Sequence, residues 1–234
     1  FVWFKELDVL SNLYTSKMMR YVRQQVKILQ NIVTRKGSSK ILTFSAPHVL
    51  KSIFCFGNQK YVSRATFCKE IHLGEGAVKT LISHLKEYGL VDSIRAGTFL
   101  TKKGIRFASQ FYNVIPSQGL IKKCEVTKGK YNYAILLKKD VGVIIGNGMQ
   151  QRDYAILYGA SDSLTLVFKN KEFVFSGDDV SCFTNEPETK DILIKLLDPE
   201  EGDIAIITSS DDKFIAEIAA INTILWTLGT SWKY

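Results

Sequence analysis

Over residues 4–34, Leu7, Leu10, Tyr14, Met18, Val22, Val26, Leu29 and Val33 recur at spacings of three and four. That period marks one face of a helix, or of two in succession. Lys36-Gly37-Ser38-Ser39 breaks it. The next stretch predicts three short helices: residues 48–56 closed by Gly57-Asn58, residues 64–71 capped by Ser63, and residues 75–88 ended by Gly89. A tight His72-Leu73-Gly74 turn separates the last two. Residues 90–94 and 98–100, about Ala96-Gly97, predict a β-hairpin, and residues 105–112 a further helix.

Past residue 114 the pattern changes. Pro116, Ser117, Gly119 and Gly129, among Lys122, Lys123, Lys128 and Lys130, mark a linker over 116–130 with room for one strand. Strands are expected at 131–138 and 141–145, followed by a Gly146-Asn147-Gly148 turn. A helix over 150–158 ends at Gly159, and strands 164–169 and 172–175 form a hairpin about Asn170-Lys171. A helix over 187–197, a buried strand over 203–208 and an apolar helix over 211–228 complete the series. The expected chain is α+β: a helical segment (1–40), a helix-and-hairpin domain (41–115), the linker, and a mixed α/β domain (131–234).

Charge sharpens this division. The chain carries a formal +8, but residues 1–130 hold 22 basic and 7 acidic side chains (+15) and residues 131–234 hold 9 and 16 (−7). A polyanion partner is therefore expected for the front half only. With 46% apolar residues the chain can bury a core. No apolar run approaches the ~20 residues of a membrane span. The N-terminus lacks a basic-then-apolar signal pattern, so a cytoplasmic protein without membrane partners is expected. Cys55, Cys68, Cys124 and Cys182 and three scattered histidines have neither disulfide-framework nor zinc-site spacing, and no metal or cofactor is expected.

The string LGEGAVKTLISHLKEYGLVDSIRAGTFLTKKG at residues 73–104 resembles the turn, recognition helix and wing of winged helix-turn-helix transcription regulators. Gly74, the Gly89-Leu90-Val91 exit, Gly97 and Leu100-Thr101-x-x-Gly104 carry the likeness. It implies a DNA-binding module. The two-part order is also similar to an archaeal family of winged-helix proteins with an uncharacterised C-terminal α/β domain. The further matching elements are R-D-x-A-x-x-x-G-A at residues 152–160 and Gly202-Asp203 before the last strand and helix.

Phasing the third helix puts Val78, Leu81, Ile82 and Leu85 on a buried side, and Gly76, Lys79, Thr80, Ser83 and Glu87 opposite. Lys79, Thr80 and Ser83 can donate to base edges or phosphates in a major groove. Gly76 permits close approach of a phosphate to the helix N-terminus. Arg95 at the wing suits a minor groove or a phosphate, and Lys102, Lys103 and Arg106 suit phosphates. Glu75 and Glu87 oppose a polyanion, and a solvated helix or a protein-interaction surface would look similar.

In the second domain, Arg152 and Asp153 form either an anion clamp or a surface ion pair. Ser209 and Ser210 lie at a strand-turn-helix, the place where α/β sheets bind ligands, or serve as a helix cap. No Walker loop, G-x-G-x-x-G, H-E-x-x-H or Ser-His-Asp order is present. The expected function is a transcriptional regulator, homodimeric on double-stranded DNA, whose second domain senses a small-molecule effector or pairs subunits. The alternatives are an enzyme with a winged helix as regulatory appendage, and a protein-interaction adaptor.

Overall fold

The computed structural model describes residues 20–34, 42–143, 145–178 and 180–230. The part of the expected first helix before residue 20 lies outside the described residues; residues 20–32 are helical (α1). The described chain divides into two compact units, one of residues 25–112 and one of residues 20–24 and 113–230.

In the first unit, α2 (Ala46–Asn58) begins at Ser45 with Pro47 in its first turn, where a missing N–H costs nothing. Helix α3 (Arg64–Ile71) is capped by the Ser63 hydroxyl, which accepts from Thr66 N at 3.1 Å. His72 in the left-handed conformation ends it. Helix α4 (Glu75–Glu87) follows, then Gly89 at φ +66°. Strands β1 (Val91–Ile94) and β2 (Gly97–Leu100) pair antiparallel around the two-residue turn Arg95-Ala96. Val62 adds a bridge to Thr98. Gly97 is required there: its φ is +140°, and a Cβ would stand 2.6 Å from Val62 O. Helix α5 (Lys102–Val114) closes the series. Leu29, Leu50, Ile53, Phe67, Ile71, Val78, Leu81, Leu85 and Phe111 form the fully buried core.

The start of α2 is sensitive to pH. Ser45 N donates to His48 Nδ1 at 3.3 Å, so the ring must be neutral there. Burial, helped by the Lys51 ammonium, holds His48 down to about 4. The unfolded ring, near 6.5, takes up its proton first, so the folded state loses stability as pH falls from about 6.5 to about 4. Urea midpoints over that range should report a loss of ~1–2 kcal/mol, allowing for the ring's partial exposure, which His48→Gln abolishes.

The second unit is built on an antiparallel sheet in the order β3-β4-β7-β5-β6. Its strands are β3 (Gln118–Ile121), β4 (Tyr131–Leu137), β5 (Asp162–Lys169), β6 (Glu172–Phe175) and β7 (Ile204–Ser210). Central β7 is buried throughout. Alternation divides the strands. Ala134, Leu136, Leu166, Phe168, Ala205 and Ile207 pack on one face with Leu193 and Leu197 of α7 (Pro187–Leu197). Helices α6 (Met149–Ile156) and α8 (Lys213–Thr230) cover the other, where Thr208 Oγ1 donates to Ala216 O at 2.6 Å. Asn222 Nδ2 ties α8 to Tyr154 O of α6 at 2.8 Å.

Segment 116–130 carries one strand, as it had room for: β3 pairs with β4, Gly119 opposite Ala134. Two expectations are corrected. Residues 141–143 and 145 form no strand. Val141 instead closes a 3-10 turn (Lys139–Val141), and Gly142 at φ +64° turns the chain out of extended conformation. The sheet is antiparallel, so the crevice at strand ends of parallel α/β sheets does not arise at β7.

Candidate functional site

The site is built where α3, α4 and the β1–β2 hairpin meet. Val78, Leu81 and Leu85 are fully buried, which turns the other side of α4 outward. Gly76, Lys79 and Ser83 are exposed and Thr80 is half-buried. Thr80 spends its proton inside the helix, donating to Gly76 O at 3.0 Å, so it retains only acceptor capacity. His84 Nδ1 lies 2.7 Å from Ile32 O and so fastens the rear of α4 to the last turn of α1. Phe44 stands edge-on to the same ring at 5.8 Å.

An open groove of about 440 Å³ runs between these elements. Four cations line it: Arg64 from the first turn of α3, Lys79 and Lys86 from α4, and Arg95 from the hairpin turn. Ser63 and Ser83 add hydroxyls, and no carboxylate of a described residue lines the groove. Lys86 pairs with Asp92 at 3.2 Å. The Ser93 N–H, then Lys86, hold the Asp92 carboxyl below its usual range. Arg64, Lys79 and Arg95 form no ion pair with a described residue.

Of the residues proposed from sequence, Lys79, Ser83 and Arg95 come together in this groove. Gly76 lies in the first turn of the same helix, outside the groove lining, with no atom within 4 Å of where a Cβ would stand. Lys102 is exposed at the start of α5 and does not line the groove. Lys103 is diverted: its ammonium donates to Tyr88 O at 2.7 Å and so caps the C-terminus of α4. Sequence reasoning missed Arg64 and Lys86. The signal for Arg64 was its position just after the Ser63 cap of the helix preceding α4.

The residues proposed in the second unit do not assemble. Arg152 Nε meets Asp162 Oδ1 at 3.5 Å, half-exposed, and Asp153 points to solvent. Ser209 and Ser210 are buried within β7. The Ser209 hydroxyl accepts from Gly129 N at 2.7 Å, and that of Ser210 from Asp212 N at 3.3 Å. The cap of α8 is Asp212, whose carboxylate accepts from Phe214 N and Ile215 N. All four cysteines are free thiols; burial pushes Cys182 up to about 12, too high for a ready nucleophile. Among the described residues no three His, Cys, Asp or Glu side chains group as metal ligands. No described helix is long and apolar enough to cross a membrane.

Residues 128–228 match a domain of unknown function, DUF4443. The DUF4443 segment takes in most of the second unit and none of the cationic groove. A hypothetical protein from Pyrococcus horikoshii OT3, of solved structure, is 26% identical to this chain with a TM-score of 0.66. That match covers 79% of this chain and 92% of the other. No curated protein matches the chain.

Proposed function

We propose that this chain is a transcriptional regulator that binds duplex DNA through α4 and the β1–β2 hairpin. The observation that carries the reading is the convergence of Arg64, Lys79 and Arg95, from three separate elements, on one groove that no carboxylate among the described residues lines. Affinity for a polyanion grows with each phosphate neutralised and counterion released. Gly76 adds a second strand of support. A glycine costs up to about 1 kcal/mol against alanine in a helix interior and less in a first turn, and nothing inside the unit requires this one. Close approach of an external backbone is a use that matches that cost. The reading extends to a cytoplasmic homodimer, because one recognition helix reads one half-site.

The test is fluorescence anisotropy with duplex DNA at stepped salt. Wild-type affinity should fall steeply with salt. Combining Arg64→Ala, Lys79→Ala and Arg95→Ala should lower the slope of log K against log salt by about 2.7, at about 0.9 per phosphate contact. Binding without salt dependence, or an unchanged slope in the triple variant, refutes the proposal.

A further inference from the structure

On the α6 side of the sheet, β5 presents Ser163 and Thr165, whereas Leu166 and Phe168 of the same strand enter the α7 core. Both hydroxyl residues are more than nine-tenths buried, at 6% and 7% exposure. Ser163 Oγ and Thr165 Oγ1 have no hydrogen-bond partner among the described residues. A buried hydroxyl left without one costs about 1–3 kcal/mol, so two on adjacent inward positions of one strand need an explanation. Both line an open groove of about 400 Å³ at the N-terminus of α6.

Glycine keeps that groove open. Gly148, at φ +79°, immediately precedes α6, and a Cβ there would stand 3.0 Å from Thr165 Cβ and 3.2 Å from its hydroxyl. A side chain at 148 would cover the Thr165 hydroxyl. One turn into α6, Arg152 lines the groove. Asp162 engages only its Nε, at 3.5 Å, which leaves the terminal guanidinium nitrogens for a ligand. From the segment after β6, Asp178 lines the groove with the opposite charge.

A bare phosphate would meet Arg152 but would be repelled by Asp178. A small zwitterion suits both: carboxylate toward Arg152, ammonium toward Asp178, and hydroxyls that can donate or accept between them. We propose that this groove binds a free α-amino acid. The inference stands on the second unit alone and does not depend on DNA binding.

The full chain would be screened by thermal shift against the twenty free L-amino acids singly, with inorganic phosphate as a competing probe. At least one amino acid should raise Tm by several degrees, since a ligand bound only to the native state stabilises it by mass action. Arg152→Gln, a half-exposed position that will not unfold the domain, should raise the amino-acid concentration needed for the same shift about tenfold, the loss of one charge-assisted contact. Ser163→Ala with Thr165→Val should abolish it while leaving the unliganded protein folded. If no amino acid shifts Tm, if phosphate alone does, or if the double hydroxyl variant responds as wild type, the proposal fails. The last result would assign the two hydroxyls to bound water.

Discussion

Gly104→Ala should destabilise the first unit by about 1–2 kcal/mol or more, although alanine is the better helix former. Gly104 is the third residue of α5 and is buried against the exit of α4. A Cβ at this position would stand 1.9 Å from Leu90 O and 2.9 Å from Leu90 C, both backbone atoms. Leu90 cannot yield. Its N–H donates to Leu85 O at 3.0 Å, and its carbonyl accepts from Thr101 N at 3.0 Å. Helix α5 must therefore back away, drawing Phe107 and Phe111 out of the core and breaking the Thr101 contacts. Overpacking of this kind costs about 1–3 kcal/mol and occasionally more, against at most about 1 kcal/mol gained in propensity. Hydrogen exchange at the Leu81, Leu85 and Phe111 amides would isolate the first unit from the second. Gly76→Ala is the matched control: nothing lies near its Cβ position, so the same substitution should stabilise. A Gly104→Ala protein as stable as wild type would show that α5 does not pack on Leu90.

The same contact explains why the first unit was legible. In Leu100-Thr101-x-x-Gly104, the Thr101 hydroxyl donates to Gly89 O at 2.6 Å and accepts from Gly104 N at 3.0 Å. It thus caps α5 and fastens it to the helix exit, while Gly104 supplies the clearance. A motif whose every residue has a local steric or hydrogen-bonding duty can be read without coordinates. Helix α3 was legible for the same reason, bounded by the Ser63 cap and by His72 in the left-handed region.

Features set by distant partners were not legible. Residues 116–130 leave room for a strand, but a short edge strand with a glycine, Gln118–Ile121, takes its bounds only from its neighbour β4. Val141-Gly142-Val143 reads as strand from its apolar content, but the left-handed Gly142 decides otherwise. On the groove, periodicity along α4 identified Lys79 and Ser83 but was blind to Arg64, which arrives from another helix. It was equally blind to the Tyr88 carbonyl that claims Lys103. Ser163 and Thr165 are the extreme case. The sequence places a strand at 164–169 with no sign of which face is covered, and only helix α6 makes those hydroxyls buried.

The second unit should depend most on Asp203, and Asp203→Ala should cost it about 3–5 kcal/mol. The side chain is fully buried at the entry to β7. Its carboxylate accepts from Lys139 N at 3.0 Å, Glu200 N at 2.9 Å and Lys138 Nζ at 3.0 Å. It thereby joins the end of β4 to the turn that feeds β7. Alanine would strand two backbone N–H groups at once and leave the Lys138 ammonium with Glu200 as its remaining carboxylate, and a buried donor that loses its acceptor pays its full desolvation penalty. The reciprocal change should be milder. Lys138 is one-fifth exposed and also reaches Glu200 at 3.2 Å, and Lys138→Met leaves Asp203 with both backbone donors. Its cost should stay near ~1.5–3 kcal/mol, the worth of a single hydrogen bond between charged groups. Urea denaturation followed by tryptophan fluorescence, to which Trp226 on α8 contributes, can rank the two variants against wild type. If Lys138→Met costs as much as Asp203→Ala, the ion pair and not the backbone acceptor role holds this corner together.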